Sequence, residues 1–219
     1  MKVWVYVEGR SDKDALSALC RNWRQDLRTR GWGIEFVSLK NKSEYLRKIG
    51  PRATEKLMND KHDLVVGLPD LYPNRHYEHT KYSHNSLQEL KHLQTQLVKR
   101  SLQMNVGPGD SDSRISRFHA SALKHDLEML LLAVPRHLQT SLRMKNAPKG
   151  WRLPPEDQNQ NNPPKNIVEK LFRIHRKQSY LEAKDGHAIL RNVDISEVLY
   201  DERGQEQCPT FRAMLDWIW

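Results

Sequence analysis

Acidic side chains follow three predicted strands, and this placement brings carboxylates together in an α/β protein. Glu8 comes directly after the apolar run 2–7, and Asp70 comes directly after Pro69 and the apolar run 64–68. Glu128 and its neighbour Asp126 lie in a predicted helix that follows a fourth strand. Sites in doubly wound sheets form beyond the carboxyl ends of the strands. We therefore expect Glu8, Asp70 and Glu128 to converge at one edge of a sheet.

Three carboxylates packed together repel one another unless a cation neutralises them. Hard oxygen ligands of this kind suit Mg²⁺ or Mn²⁺. Such an ion can bind a phosphate group and activate water for phosphodiester cleavage. A single acid after a strand also serves as a helix cap or a turn former, so spacing alone leaves both interpretations open.

The elements that would position these acids alternate between strands and helices. Apolar runs predict strands, and apolar residues at helical spacing predict helices. A helix capped by Ser11 or Asp12 follows the first strand, and Gly50-Pro51 is expected to interrupt a later one. The predicted order is strand 2–7, helix to about 30, strand 34–39, helix 42–59, strand 64–68, helix 86–104, strand 115–119 and a helix through 125–132. Alternation of this kind indicates a mostly parallel sheet with right-handed crossovers.

The composition changes after residue 145. Residues 146–164 hold five prolines and many Asn and Gln residues, which indicates a linker or a long surface loop. Short helices are predicted beyond it. We expect an α/β domain over 1–145, the linker or loop over 146–164, and a helical C-terminal cap over 165–219 that packs on the first domain.

Charge and composition exclude several classes of protein. The 219 residues carry 36 Lys and Arg against 27 Asp and Glu, a net charge of +9, which permits a nucleic-acid partner. Two cysteines are too few for a disulfide scaffold or a cysteine zinc site. No apolar run approaches the roughly 18 residues of a membrane span, and the first residues do not resemble a signal peptide. We expect a cytoplasmic protein without a membrane partner.

Two motifs resemble those of Toprim domains, which occur in topoisomerases, primases and nucleases of the overcoming-lysogenization-defect type. The run Val5-Tyr6-Val7-Glu8-Gly9-Arg10-Ser11-Asp12 before an amphipathic helix is similar to the first motif. Asp70-Leu71-Tyr72 after an apolar strand is similar to the second, which is usually Asp-x-Asp. The resemblance implies a Toprim-like, Rossmann-like fold.

The chain resembles more specifically an uncharacterised family of small Toprim-like proteins. The segment His125-Asp126-Leu127-Glu128 matches a third motif of that family, and Pro163-Pro164-Lys165, Lys184-Asp185-Gly186 and Cys208-Pro209-Thr210-Phe211 match its C-terminal part. The resemblance covers nearly the whole chain. It also implies an ABC-type ATPase as a partner and a role in phage defence, because members are often encoded beside such ATPases.

The resemblance implies roles for the acids. Glu8 would be a metal ligand or general base, and Asp70 the principal metal ligand. Glu128 would complete a second metal position, with Asp126 or His125 nearby. Asp12 would bind a second ion or, equally, cap its helix.

Other residues are candidates for contacts with substrate. Tyr72 departs from Asp-x-Asp, and a phenol is a poor ligand for Mg²⁺ at neutral pH, so we expect it to donate a hydrogen bond to a ligand. His125 and Arg10 are further candidates for the surroundings of the site. Lys184 is the candidate cation for a transition-state phosphate, and a solvated lysine before a turn is the competing interpretation.

The sequence predicts a nuclease that uses Mg²⁺ or Mn²⁺ on DNA or RNA, with an ATPase partner. The alternative is a catalytically lapsed scaffold or regulatory subunit of an ATPase complex, which the departure at Tyr72 favours. Another phosphotransfer or nucleotide-binding domain is less well supported, because no Gly-x-Gly-x-x-Gly motif and no phosphate-loop lysine motif is present.

Overall fold

The computed structural model describes all residues 1–219. The first part contains four strands: β1 (Lys2–Val7), β2 (Gly33–Ser38), β3 (Leu64–Leu68) and β4 (Phe118–Ala120). Its helices are α1 (Arg10–Leu19), α2 (Arg21–Thr29), α3 (Lys42–Asn59), α4 (Leu87–Val106), α5 (Pro108–Ile115), α6 (Glu128–Leu132) and α7 (Pro135–Leu142). The C-terminal part contains α8 (Pro164–His175), a π-helical turn (Glu182–Gly186), α9 (His187–Leu190), α10 (Ile195–Leu199) and α11 (Pro209–Ile218).

The strands form one parallel sheet in the order β2-β1-β3-β4. The prediction of a parallel sheet is thereby confirmed. Val7 of β1 lies opposite Leu68 of β3, so these two central strands end side by side. The residues that follow them must therefore emerge at the same edge of the sheet.

Both faces of the sheet are covered, as the short apolar strands require. Val3, Val5 and Val7 of β1 point into a core shared with α1, α6 and the C-terminal helices. Tyr6 points to the opposite face, into a core built with α3 and α4. The C-terminal helices thus pack on the same face of the sheet as α1.

The prediction was wrong in detail for three helices and one strand. The first helix begins at Arg10 and is divided at Cys20 into α1 and α2. Helix α3 continues through Pro51. Strand β4 begins at Phe118, because α5 occupies the chain up to Ile115. Helix α6 begins only at Glu128, which leaves the preceding residues in a loop.

The proline-rich segment 146–164 is fastened to the last helix. Glu156 lies in a short 3₁₀ turn and is 2% exposed. Its carboxylate accepts hydrogen bonds from the backbone N–H of Thr210 (3.0 Å) and of Phe211 (3.3 Å), and from the Thr210 hydroxyl (2.7 Å). These groups belong to the first turn of α11, where free N–H groups and the helix dipole favour an anion.

No helix combines the length and the apolar character that crossing a membrane would require.

Candidate active site

Glu8 and Asp70 meet at the carboxyl edge of the sheet, as the spacing predicted. They follow the neighbouring strands β1 and β3, and the Asp70 N–H donates a hydrogen bond to Glu8 Oε1 at 3.1 Å. The chain after β3 is held in turn by the Leu71 N–H, which donates to the Leu123 carbonyl at 2.7 Å. Backbone pairing therefore fixes both acids.

Lys42 lies beneath this pair and was not predicted as a site residue. Its ammonium donates to three backbone carbonyls, those of Asp70 (2.8 Å), Leu71 (2.8 Å) and Pro73 (3.0 Å). The side chain is only 7% exposed, and burial lowers the pKa of its ammonium while Glu8 opposes that shift. A lysine at the first position of a helix is unfavourable for the helix dipole. This unfavourable placement is the feature of the sequence that could have identified Lys42 as a site residue.

Asp12 lies at the start of α1 with its side chain turned back toward the strand end. Its Oδ2 accepts a hydrogen bond from the Gly9 N–H at 2.8 Å, and the residue is 8% exposed. Burial raises the pKa of this carboxyl, and the nearby Glu182 carboxylate raises it further. Arg10 of the same motif is solvent-exposed and lies 3.6 Å from Asp14.

Asp126 and Glu128 form the second half of the site. Asp126 lies in the loop before α6, and Glu128 is the first residue of that helix and is fully buried. Asp126 Oδ1 and both carboxylate oxygens of Glu128 are buried without a hydrogen-bond partner. The Tyr180 hydroxyl lies close enough to Glu128 to affect its pKa, although it makes no hydrogen bond of regular geometry.

The C-terminal part closes the site with residues that the sequence did not single out for it. The Glu182 carboxylate accepts hydrogen bonds from the Ser11 hydroxyl (2.6 Å) and from the Lys165 ammonium (2.8 Å). Burial opposes ionisation of Glu182, but these two donors outweigh it and lower its pKa. Lys184 is exposed in the same π-helical turn and makes no ion pair. Lys165, and not Lys184, is therefore the lysine whose charge acts on Asp126 and Glu128.

The Asp126 charge links the two groups of acids, because it acts on the carboxyl of Asp70. Burial raises the pKa of Asp70 well above its usual range, and the charges of Glu8, Asp12 and Asp126 raise it further. Burial likewise raises the pKa of Glu8 to about 7 and that of Asp126 to about 6. Burial and the Asp126 charge raise the pKa of Glu128 to about 8. The protein thus holds several carboxylates where their ionised forms are poorly stabilised.

His125 and Tyr72 pack against each other beside the site. Their ring centroids lie 5.5 Å apart, and His125 Nε2 lies 2.8 Å from the Gln158 carbonyl. Burial lowers the pKa of His125. These two rings join the loop after β3 to the proline-rich segment.

The donor set fits a hard divalent cation in its chemistry. Every candidate ligand is a carboxylate oxygen, the type that Mg²⁺ and Mn²⁺ prefer. The three unpartnered oxygens of Asp126 and Glu128 are buried acceptors that such an ion would satisfy. No three acidic, histidine or cysteine side chains converge on one point as they stand. A third ligand, such as Asp70, would have to reorient its side chain to complete a metal position.

Comparisons with known proteins identify a family and a fold. A family model described as a domain of unknown function (DUF4276) matches residues 7–218. A search of curated proteins finds no match.

The solved structures similar to the chain include regions of two bacterial proteins. The C-terminal region of the Burkholderia pseudomallei OLD protein is 13% identical, with a TM-score of 0.52 over 99% of this chain and 96% of that chain. The same region of the Xanthomonas campestris pv. campestris OLD protein is 12% identical, with a TM-score of 0.46 over 99% and 96%. Only the first TM-score exceeds 0.5. That likeness shows a shared fold and confirms the prediction of a Toprim-like α/β sheet flanked by helices.

Proposed function

The chain belongs to the DUF4276 family, and we propose that it is a Toprim-like nuclease that uses Mg²⁺ or Mn²⁺ to hydrolyse phosphodiester bonds in DNA or RNA. The observation that carries the proposal is the set of buried carboxylate oxygens without partners on Asp126 and Glu128. A buried carboxyl without a partner is costly, and natural sites retain such groups where a cation or substrate satisfies them.

The residues that would hold the ion are Asp70, Asp126 and Glu128, with Glu8 and Asp12 as further candidates. When bound, a divalent ion of this kind neutralises the carboxylates, stabilises charge on a phosphate and lowers the pKa of water. Lys42 positions Asp70 by holding the backbone of the loop in which that residue lies.

Glu8 is suited to accept a proton near neutral pH. Burial raises its pKa to about 7, and an efficient general base has a pKa near the working pH. In the proposed reaction a water oxygen attacks phosphorus, its proton passes to Glu8, and the bond from phosphorus to the leaving oxygen breaks. That oxygen takes a proton from solvent. Lys165 and Lys184 are the two candidate cations for the phosphate.

A second candidate function is a catalytically lapsed scaffold or regulatory subunit. It is favoured by the absence of three converging ligands and by Tyr72, which stands where an acid is usual in the Toprim motif. Lys42 and Lys165 already supply positive charge inside the site, which reduces its need for an ion.

We include an ABC-type ATPase partner and a role in phage defence in the proposal. Their support is the family resemblance of the ordered motifs alone. The nuclease and the lapsed scaffold would have the same ATPase partner. Identifying that partner therefore does not distinguish the two candidate functions.

The test combines cleavage with metal binding. Purified wild type is incubated with labelled DNA and RNA in Mn²⁺ and in Mg²⁺, beside Asp70→Asn and Glu128→Gln. Asp14→Asn is the matched control, because Asp14 lies half-buried on α1 and pairs only with Arg10. We expect cleavage by wild type and the control, and at least a 100-fold loss in both site variants, the scale of a lost metal or acid-base group.

The thermal midpoint is measured with and without Mn²⁺ on the same proteins. A ligand that binds only the folded state raises the midpoint by mass action. A well-folded wild type with neither cleavage nor a Mn²⁺ shift would exclude the nuclease and leave the scaffold.

A further inference from the structure

A polar groove of about 710 Å³ runs along the outer face of α8. Of its nine lining residues only Tyr180 is hydrophobic. Asn166, Lys170, Arg173 and Lys177 succeed one another at intervals of four, three and four residues. That spacing places the helical members on one face of α8, while Val168 and Phe172 of the opposite face are buried in the core.

The groove is lined by positive charge that no acid neutralises through an ion pair. Lys170, Arg173 and Lys177 are exposed, and none of the three lies within ion-pair distance of a carboxylate. Glu169 is the only acidic residue in the lining, and Asn162, Asn166, Gln178 and Ser179 supply neutral hydrogen-bonding groups. Cations interspersed with amides and hydroxyls are typical of surfaces that contact phosphates and sugars.

The groove borders the candidate active site at Tyr180. Tyr180 lines it and is buried beside Glu128. Lys165 lies one helical turn before Glu169 on α8 and is bonded to Glu182 of the site. A chain lying in the groove would therefore come up to Tyr180, which separates it from Glu128.

Lys177 occupies a backbone conformation that does not favour lysine. It follows the end of α8 with φ +53°, in the left-handed region where glycine is preferred. The sequence therefore places a long cation at the groove where a glycine would suit the backbone better.

We propose that this groove binds the sugar-phosphate backbone of a nucleic-acid strand and leads it to the carboxylates, an inference that rests on the proposed nuclease function. Lys170 and Arg173 are three residues apart in α8, about 4.5 Å along the helix axis, and Lys177 continues the row beyond the end of the helix. Three cations in a row of this kind can each contact a phosphate of the same strand. The amides at the groove accept or donate hydrogen bonds to phosphate and sugar without reading bases.

The test measures binding without cleavage. Fluorescence anisotropy is recorded in EDTA with single-stranded DNA and RNA 20-mers of the same sequence, at several salt concentrations. The groove variant is Lys170→Gln/Arg173→Gln/Lys177→Gln. The control variant Arg28→Gln/Lys61→Gln/Lys145→Gln removes three exposed cations from elsewhere and has the same net charge.

For single strands the salt slope falls by about 0.7 per lost phosphate contact, so the groove variant should lose about 2 in slope. If wild type and the groove variant bind equally at 1 M salt, a difference of about 2 in slope corresponds to roughly 100-fold weaker binding by the variant at 0.1 M. The control should change affinity by less than about 5-fold. Whichever of the DNA and RNA probes binds more tightly identifies the type of strand.

Two single variants separate binding from folding. Lys177→Gly should weaken binding about 5-fold while leaving the thermal midpoint unchanged or higher, because glycine suits the backbone there. Glu169→Gln should tighten binding, because it removes the only negative charge of the groove.

Equal losses of affinity in the groove and control variants would contradict the proposal that the groove binds nucleic acid. The absence of binding by wild type at low salt would contradict it as well. Because binding is measured in EDTA, it is independent of cleavage. Binding through the groove without any cleavage would contradict the proposed nuclease function and support the groove as a binding site. Cleavage by wild type together with unchanged binding in the groove variant would support the nuclease function and contradict the groove as the binding site.

Discussion

The substitution Glu128→Gln should stabilise the metal-free protein at neutral pH. Glu128 is fully buried, its oxygens have no partners, and burial raises its pKa to about 8 from an ordinary value of 4.5. At pH 7 the folded protein therefore holds the protonated carboxyl, while the unfolded chain gains free energy by ionising it. The ordinary pKa of 4.5 lies 2.5 below pH 7, and at 1.36 kcal/mol for each step of one in pH this lowers the free energy of unfolding by about 3 kcal/mol. Glutamine resembles the protonated carboxyl in shape and abolishes this cost.

The sign of the pH dependence follows from the raised pKa. Below about pH 4.5 both states are protonated and the cost is absent, and it grows as pH rises toward 8. In thermal unfolding with EDTA, Glu128→Gln should therefore match wild type at pH 4.5 and exceed it at pH 7. A change of about 3 kcal/mol corresponds to roughly 6–12 °C in a chain of this size.

Glu156→Gln is the matched control, since Glu156 is also buried but accepts hydrogen bonds from Thr210 and Phe211. Burial raises the pKa of Glu156 as well, but Glu156→Gln should raise the midpoint less than Glu128→Gln, or lower it, because the glutamine amide turns a donor toward backbone donors. A midpoint for Glu128→Gln at or below that of wild type at pH 7 would refute the reasoning. It would mean that the buried carboxyl has a stabilising partner and that its oxygens do not await a cation.

Two further predictions concern the support of the site. Lys42→Met should cost about 3 kcal/mol or more in urea unfolding, because it leaves three buried or partly buried carbonyls without their donor; wild-type stability would contradict this. Gly67→Ala should cost about 2 kcal/mol or more, because its Cβ would overlap Gln94 and Tyr45, which hydrogen-bond to each other at 2.7 Å. Gly109→Ala in α5 is its control and should be neutral or slightly stabilising, and equal losses in both would refute the steric argument.

The sheet and the strand-end acids could be predicted from the sequence because both depend on local pattern. Strands buried on both faces appear as short apolar runs, and the residue after such a run must lie at the sheet edge. Glu8 and Asp70 were placed together in this way, and their contact through the Asp70 N–H agrees with it.

The rest of the site depends on contacts between distant parts of the chain. Ser11 and Glu182 are 171 positions apart in the sequence, and no periodicity indicates that they touch. Lys42 could be recognised only after the loop carbonyls that it binds were located. At Gly50, helix α3 packs so closely on α4 that a Cβ would come within 2.7 Å of the Leu97 carbonyl. The glycine therefore serves this helix contact and does not mark the end of the helix. Tertiary packing decided each of these features.

The distribution of the site along the chain has a consequence for its order of assembly during synthesis. Glu8, Asp70 and Glu128 leave the ribosome well before Lys165 and Glu182, whose contact closes the site. Until the C-terminal helices dock, the early acids lack that lysine, and Tyr180 does not yet cover Glu128. A growing chain therefore carries its acids in an incomplete arrangement until Lys165 and Glu182 have also left the ribosome and docked.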